Sequence, residues 1–178
     1  MANTPKIGIP YDRFAPFLST AASVYVANSV PTILFEVPGF SVTINNVLWR
    51  LNTPQVGSDV GFGIYAVTPG SLTRGVRLAD TGAVSAAAGT LMTTPFSFPV
   101  TLPPGWYCMA FTTNNGAVAI DSVLPGGAFA TGMNVFNQTP EGFLGTAANA
   151  GVGGQLPNLL GLITLIGATK FPSIMLSN

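Results

Sequence analysis

The chain has 178 residues, enough for one domain with a real core and too few for two comfortable ones. Only 7% of its residues are charged while 48% are apolar, against roughly 25% charged in an ordinary soluble protein. With a formal net charge of zero, such a surface tends to associate, and it lacks the basic face that displaces counterions from nucleic acid.

Residues 1–20 read as an extended N-terminal arm. Pro5, Pro10 and Pro16 block regular strand pairing, and Pro10, Asp12, Arg13 and Pro16 also break any secretory apolar core after Lys6, so assembly in a cytoplasm is expected. Ile7, Ile9, Tyr11, Phe14 and Phe17 are too many apolar groups for a solvated tail. With Arg13 they are candidate assembly contacts, reaching for a groove on a neighbouring subunit.

The remainder, 21–178, reads as short β-runs punctuated by Pro, Gly and Asn, with no sustained helical stripe. Val24 to Val26 and Ile33 to Val37 are the first strands, bounded by turn residues Asn28-Ser29, Pro31 and Pro38-Gly39. Phe40, Val42 and Ile44 alternate on even numbers, then Val47, Trp49 and Leu51 on odd ones; a period of two changes phase only through an extra residue, so Asn45-Asn46 marks a bulge or a turn. In Val60 to Val67, Gly61 and Gly63 open one face to a close neighbour. Phe96, Phe98, Val100 and Leu102 alternate as a half-buried strand, with Pro99 marking an edge. Gly105 to Thr112 is apolar on both faces, as a central strand should be, and Asn114-Asn115-Gly116 is a hairpin signal leading into Val118 to Leu124. Residues 142–155 are rich in Gly and Ala and read as a long loop reaching outward, with Phe143 and Leu144 as further assembly contacts. The longest apolar run, Leu159 to Ala168, is half of the roughly 20 residues a membrane span needs and is interrupted by Gly161, Thr164 and Gly167, so no membrane insertion is expected. Leu162 to Ile166 and Phe171 to Leu176 are the last strands, the latter placed at an edge by Pro172. Strands at spacings near ten residues predict an all-β chain, a single β-sandwich of jelly-roll type.

The chemistry available is narrow. There is no histidine, which removes His-based triads, His metal sites and imidazole catalysis. The carboxylates Asp12, Glu36, Asp59, Asp80, Asp121 and Glu141 are dispersed, read best as turn and solvating residues, and form no calcium loop. The single cysteine, Cys108, excludes an internal disulfide and reads as a buried thiol beside Trp106, Tyr107, Met109 and Phe111. Arg74 and Arg77 form the one close basic pair, read as a solvated loop tip. Gly151 to Gly154 lacks the strand-to-helix setting of a phosphate loop, and Asn137-Gln138-Thr139 matches a sequon that is expected to be idle, since no secretory leader is expected. Trp49, Trp106, Tyr11 and Tyr65 are the aromatics suited to stacking on sugars, with the core as the expected place for both tryptophans. No enzyme, no cofactor and no metal site is expected.

From residue 40 to 112 three segments carry a resemblance. FSVTINNVLWRL is followed by VGFGIYAVTPGSLTRGVRLADTGAVSAAAG, in which a Gly-Ile-Tyr strand runs through a loop to Leu-Ala-Asp-Thr-Gly, and then by FSFPVTLPPGWYCMAFTT, a strand entered from a proline turn. This order resembles a β-sandwich module of bacteriophage virions, found in tail fibres, receptor-binding proteins and capsid decoration proteins. The resemblance implies a structural virion protein on the particle surface, usually homotrimeric and without catalytic residues. A capsid decoration or cement subunit, its arms clamping the major capsid protein or other virion proteins, is the leading expectation. A tail-fibre or receptor-binding head that recognises a host glycan is the alternative.

Overall fold

A computed structural model describes residues 6–9, 20–37, 39–67, 74–123, 144–165 and 171–178, with the backbone alone at 6–9, 20–21, 74, 123, 144 and 165. In chain order the strands are β1 (Lys6–Ile9), β2 (Thr20–Val24), β3 (Pro31–Val37), β4 (Val42–Thr53), β5 (Asp59–Val67), β6 (Arg74–Asp80), β7 (Val84–Ser85), β8 (Leu91–Leu102), β9 (Gly105–Thr113), β10 (Ala119–Val123), β11 (Leu144–Ala147), β12 (Ile163–Leu165), β13 (Phe171–Pro172) and β14 (Ile174–Ser177). They form two 7-stranded sheets packed face to face, the first from β1, β2, β4, β8, β10, β13 and β14, the second from β3, β5, β6, β7, β9, β11 and β12.

Alternation decides what lies between them. From the first sheet Val47, Trp49, Leu51, Ile120, Ile174 and Leu176 point inward, and from the second Ile33, Phe35, Phe62, Ile64, Met109 and Phe111 meet them. The rings of Trp49 and Phe62 stand 5.4 Å apart across the gap, and those of Phe62 and Phe111 5.2 Å. Each such large apolar side chain contributes about 1.5–3 kcal/mol by leaving water. The indole N–H of Trp49 donates to Thr94 Oγ1 at 3.0 Å, so the core's largest residue leaves no polar group stranded.

The phase change at Asn45-Asn46 is a bulge inside one continuous strand, since the β4–β8 register shifts between Ile44 and Asn46. The partner side is longer there: Asn46 pairs with Pro95 and Ile44 with Val100, so Phe96 to Pro99 loop past one residue. That irregularity corrects the simple alternation read for β8, because Phe96 is buried while Phe98 is exposed. Pro99 does lie on an edge strand, as β8 pairs only with β4 among the described residues. Pro172 sits in short β13, yet β14 beyond it runs between β4 and β1 and is not an edge.

The expected hairpin at Asn114-Asn115-Gly116 is instead a crossing between sheets: β9 belongs to the second and β10 to the first. The asparagines serve the crossing by tying it to the start of β5. Asn114 Oδ1 accepts from the Asp59 N–H at 2.8 Å, and Asn115 Nδ2 donates to Ser58 Oγ at 2.8 Å. Turn chemistry fixes a reversal of the chain but not which sheet receives it.

The described part of residues 142–155 also differs from the expected outward loop. Residues 144–147 are strand β11, paired with β3 and β12. Beyond it a strap of residues 148–162 crosses the outer face of the second sheet. Gly151 lies against Thr112, Gly154 against Asp59, Leu156 against Gly63 and Leu159 against Val76. Its tip is a two-residue turn in which Val152 and Gln155 exchange backbone bonds of 3.0 and 2.9 Å. Gly153 and Gly154 take φ of +57° and +78° there, a conformation that costs glycine little. The strap is closed at its base by Asn149, whose Nδ2 donates to the Leu159 carbonyl at 2.7 Å and whose Oδ1 accepts from the Gly161 N–H at 2.6 Å. Under it Leu34, Tyr65, Cys108 and Ala110 form a second core with Leu156 and Leu160. Both faces of β9 are thus buried over most of its length, which is why its sequence is apolar on both sides.

Candidate interaction surfaces

The assembly contacts expected from the sequence divide into three groups. Ile7 and Ile9 lie in β1, which pairs with β14 of the same chain (Ile7 with Leu176, Ile9 with Ile174), so this part of the expected arm folds back on its own sheet. Leu144 opens β11, opposite Ile33. Tyr11, Arg13, Phe14, Phe17 and Phe143 lie outside the described residues.

The aromatic candidates separate cleanly. Trp49 and Tyr65 are fully buried, while Trp106 is 38% exposed, correcting its expected place in the core. Trp106 occupies the second position of β9, beyond the reach of the strap, where the strand's outward face meets solvent. Directly opposite it in β3 stands Glu36, also exposed. Their neighbours Phe35 and Tyr107 turn inward, with ring centroids 5.8 Å apart. Phe40, in the turn after β3, is exposed near the same end of the sandwich.

The outer face of the first sheet is a second open surface. Leu48 pairs with Thr93 on one side and Met175 on the other, and Arg50 pairs with the exposed Leu91. Among its described side chains Arg50 and Asp121 stand 3.7 Å apart, with Asn52 also donating to Asp121. Val24 and Val26 add exposed apolar side chains at the end of β2, and Leu162 adds another just before β12 of the second sheet.

The groups with chemical potential are mostly occupied. Arg77 is not a solvated tip: its Nε meets Asp80 at 3.0 Å, while Nη1 and Nη2 donate to the Leu156 carbonyl and Asn158 Oδ1, each at 2.6 Å, fastening the strap. Asp59 bonds to Asn114, and Asp80 accepts from the Gly82 N–H at 2.7 Å. Cys108 is buried beneath the strap, as its apolar neighbours in sequence imply. Burial pushes the phenols of Tyr25 and Tyr65 well above the ordinary range; Tyr25 OH shares a hydrogen bond with Ser122 at 2.5 Å, and Tyr65 OH donates to the Pro157 carbonyl at 2.6 Å. Neither is a base at neutral pH. Among the described residues no three His, Cys, Asp or Glu side chains gather as metal ligands, and no helix is long and apolar enough to cross a membrane.

No protein-family model matches the chain, and no curated protein matches its sequence.

Proposed function

We propose that the chain is a structural subunit of a bacteriophage virion, a capsid decoration or cement protein that stabilises the shell as a homotrimer on the particle surface. The observation that carries this reading is a folded sandwich whose surface is short of charge and rich in large apolar groups. Val56, Leu91 and Leu162 are each more than 70% exposed, in a chain with 7% charged residues. Such a surface favours cover by other subunits over solution. The resemblance of residues 40–112 to virion modules supports the particle as the setting, and the chain's repeated passage between the two sheets supports a jelly roll.

On this reading the protein performs no catalysis and needs no cofactor. Its partners are further copies of itself and the major capsid protein or another virion protein. Exposed Phe40 and Trp106 at one end favour the competing reading, a tail-fibre or receptor-binding head that takes a host glycan. Peptide mass spectrometry of purified virions, followed by cryo-electron microscopy that locates the subunit, tests both. Density on capsid capsomers supports the first, density at a fibre tip the second, and absence from the particle contradicts both.

A further inference from the structure

We propose that Asn115-Gly116 is a self-modification site that the fold holds latent, where a succinimide forms and opens to aspartate or isoaspartate once the crossing between the sheets loosens. This is the single Asn-Gly step of the chain. The chemistry needs no enzyme, one reason that asparagine counts among the thermolabile residues. The Gly116 nitrogen attacks Cγ of Asn115 and gives its proton to solvent as the N–Cγ bond forms; the Cγ–Nδ2 bond then breaks, and Nδ2 takes a proton from solvent and leaves as ammonia. Water adds at either ring carbonyl, leaving an aspartyl or an isoaspartyl residue.

The local structure leaves the attacking group free. Gly116 and Ala117 are exposed, so solvent reaches both, and the Gly116 N–H makes no hydrogen bond among the described residues. Nor does the backbone demand a glycine: Gly116 has no left-handed φ, and a β-carbon there would meet the Tyr25 carbonyl oxygen at 3.4 Å, an ordinary contact. A side chain at that position would shield the nitrogen. The fold has room for one, yet the chain carries none.

The amide under attack is not free. Asn115 Oδ1 accepts the Ala117 N–H at 2.9 Å, and Nδ2 donates to Ser58 Oγ at 2.8 Å. Ring closure sheds Nδ2, so the bond to Ser58 is lost in every case. Ser58 is fully buried, and Asn115 is the one partner of its hydroxyl among the described residues, so the loss strands a polar group away from water, which costs more than exchanging one bond for another. The product also disturbs the crossing. Aspartate adds a negative charge to a chain of formal net charge zero, close to Asp59, which follows Ser58 and touches Asn114. Isoaspartate puts an extra main-chain carbon between β9 and β10, strands of different sheets.

Peptide mapping by mass spectrometry, with fragmentation that tells aspartyl from isoaspartyl, follows residue 115 in the full-length protein during incubation at mildly alkaline pH. The natural chain is compared folded and in urea, beside folded Ser58→Ala, Gly116→Ala and Arg77→Met. In urea, residue 115 should modify faster than every other asparagine, and in the folded natural chain about tenfold more slowly than that. Ser58→Ala should recover several-fold of the difference, and Gly116→Ala should fold and resist modification in both states. Arg77→Met, weakened at the strap and not at the crossing, should stay as slow as the natural chain. The proposal is overturned if the natural chain modifies equally fast folded and in urea, if folded Ser58→Ala is no faster, or if Arg77→Met gains as much as Ser58→Ala, which would tie the rate to global unfolding. Where circular dichroism shows Ser58→Ala unfolded, the natural chain's ratio and Arg77→Met decide. No particle is involved, so the virion reading stands apart from either result.

Discussion

The carbonyl oxygen of Gly154 lies directly over the α-carbon of Gly61, in the place a β-carbon would fill. Backbone rests on backbone there. The contact fixes the strap on the second sheet, and it makes Gly61→Ala a steric probe of that docking. The variant should lose about 2 kcal/mol of stability, in the range of overpacking, and its Cys108 should react with a thiol reagent far faster than in the natural chain. Gly63→Ala is the graded control: its β-carbon would meet Leu156 Cδ1 at 2.9 Å, the flexible end of a side chain. A smaller loss is expected, and equal losses would contradict the distinction.

Asn149 closes the strap at its base, and Arg77 holds its returning limb at Leu156 and Asn158. Asn149→Ala removes two hydrogen bonds at the base, and Arg77→Met removes two to the strap and one ion pair to Asp80. Each substitution should cost about 1–3 kcal/mol and raise amide exchange across residues 150–160 with little change in β4 or β14. Exchange that rises evenly through both sheets would mean that the strap does not open as a unit.

How much of this was legible depends on whether the signal was local. The bulge at Asn45-Asn46 was readable because parity on a strand cannot change silently. The close approach at Gly61 and Gly63 was readable too, yet Gly154 and Leu156, the groups that approach, lie more than ninety positions along the chain. By composition alone residues 142–155 read as a long loop reaching outward, although Gly153-Gly154 is the dipeptide a tight turn demands. Trp106 reads as a core residue because a strand apolar on both faces looks buried along its whole length, and only the strap's position shows where its cover ends. The open face of the first sheet had no signal of its own, since Leu48 and Met175 alternate with core residues of the same character.

Alkaline pH should separate the phenols. Tyr25 and Tyr65 are held neutral in the folded protein, first of all by burial, while in the unfolded chain both ionise near the ordinary value of 10. The folded values are raised, so this contribution to stability is whole below pH 10. It declines as pH rises further, by about 1.4 kcal/mol per pH unit for each phenol, until the folded values are reached. Absorbance near 295 nm should therefore show these two phenolates appearing only with loss of β-sheet circular dichroism. Their ionisation while the fold persists would contradict the buried hydrogen bonds to Ser122 and Pro157.

The charge-poor open surfaces yield the most direct test of the account, the mass of the purified full-length chain in solution by light scattering after size exclusion at micromolar concentration. The account predicts a mass of three chains, with little binding of dyes that report exposed apolar patches. A stable monomer that binds no such dye would show that these surfaces need no cover, and would contradict the assembly reading.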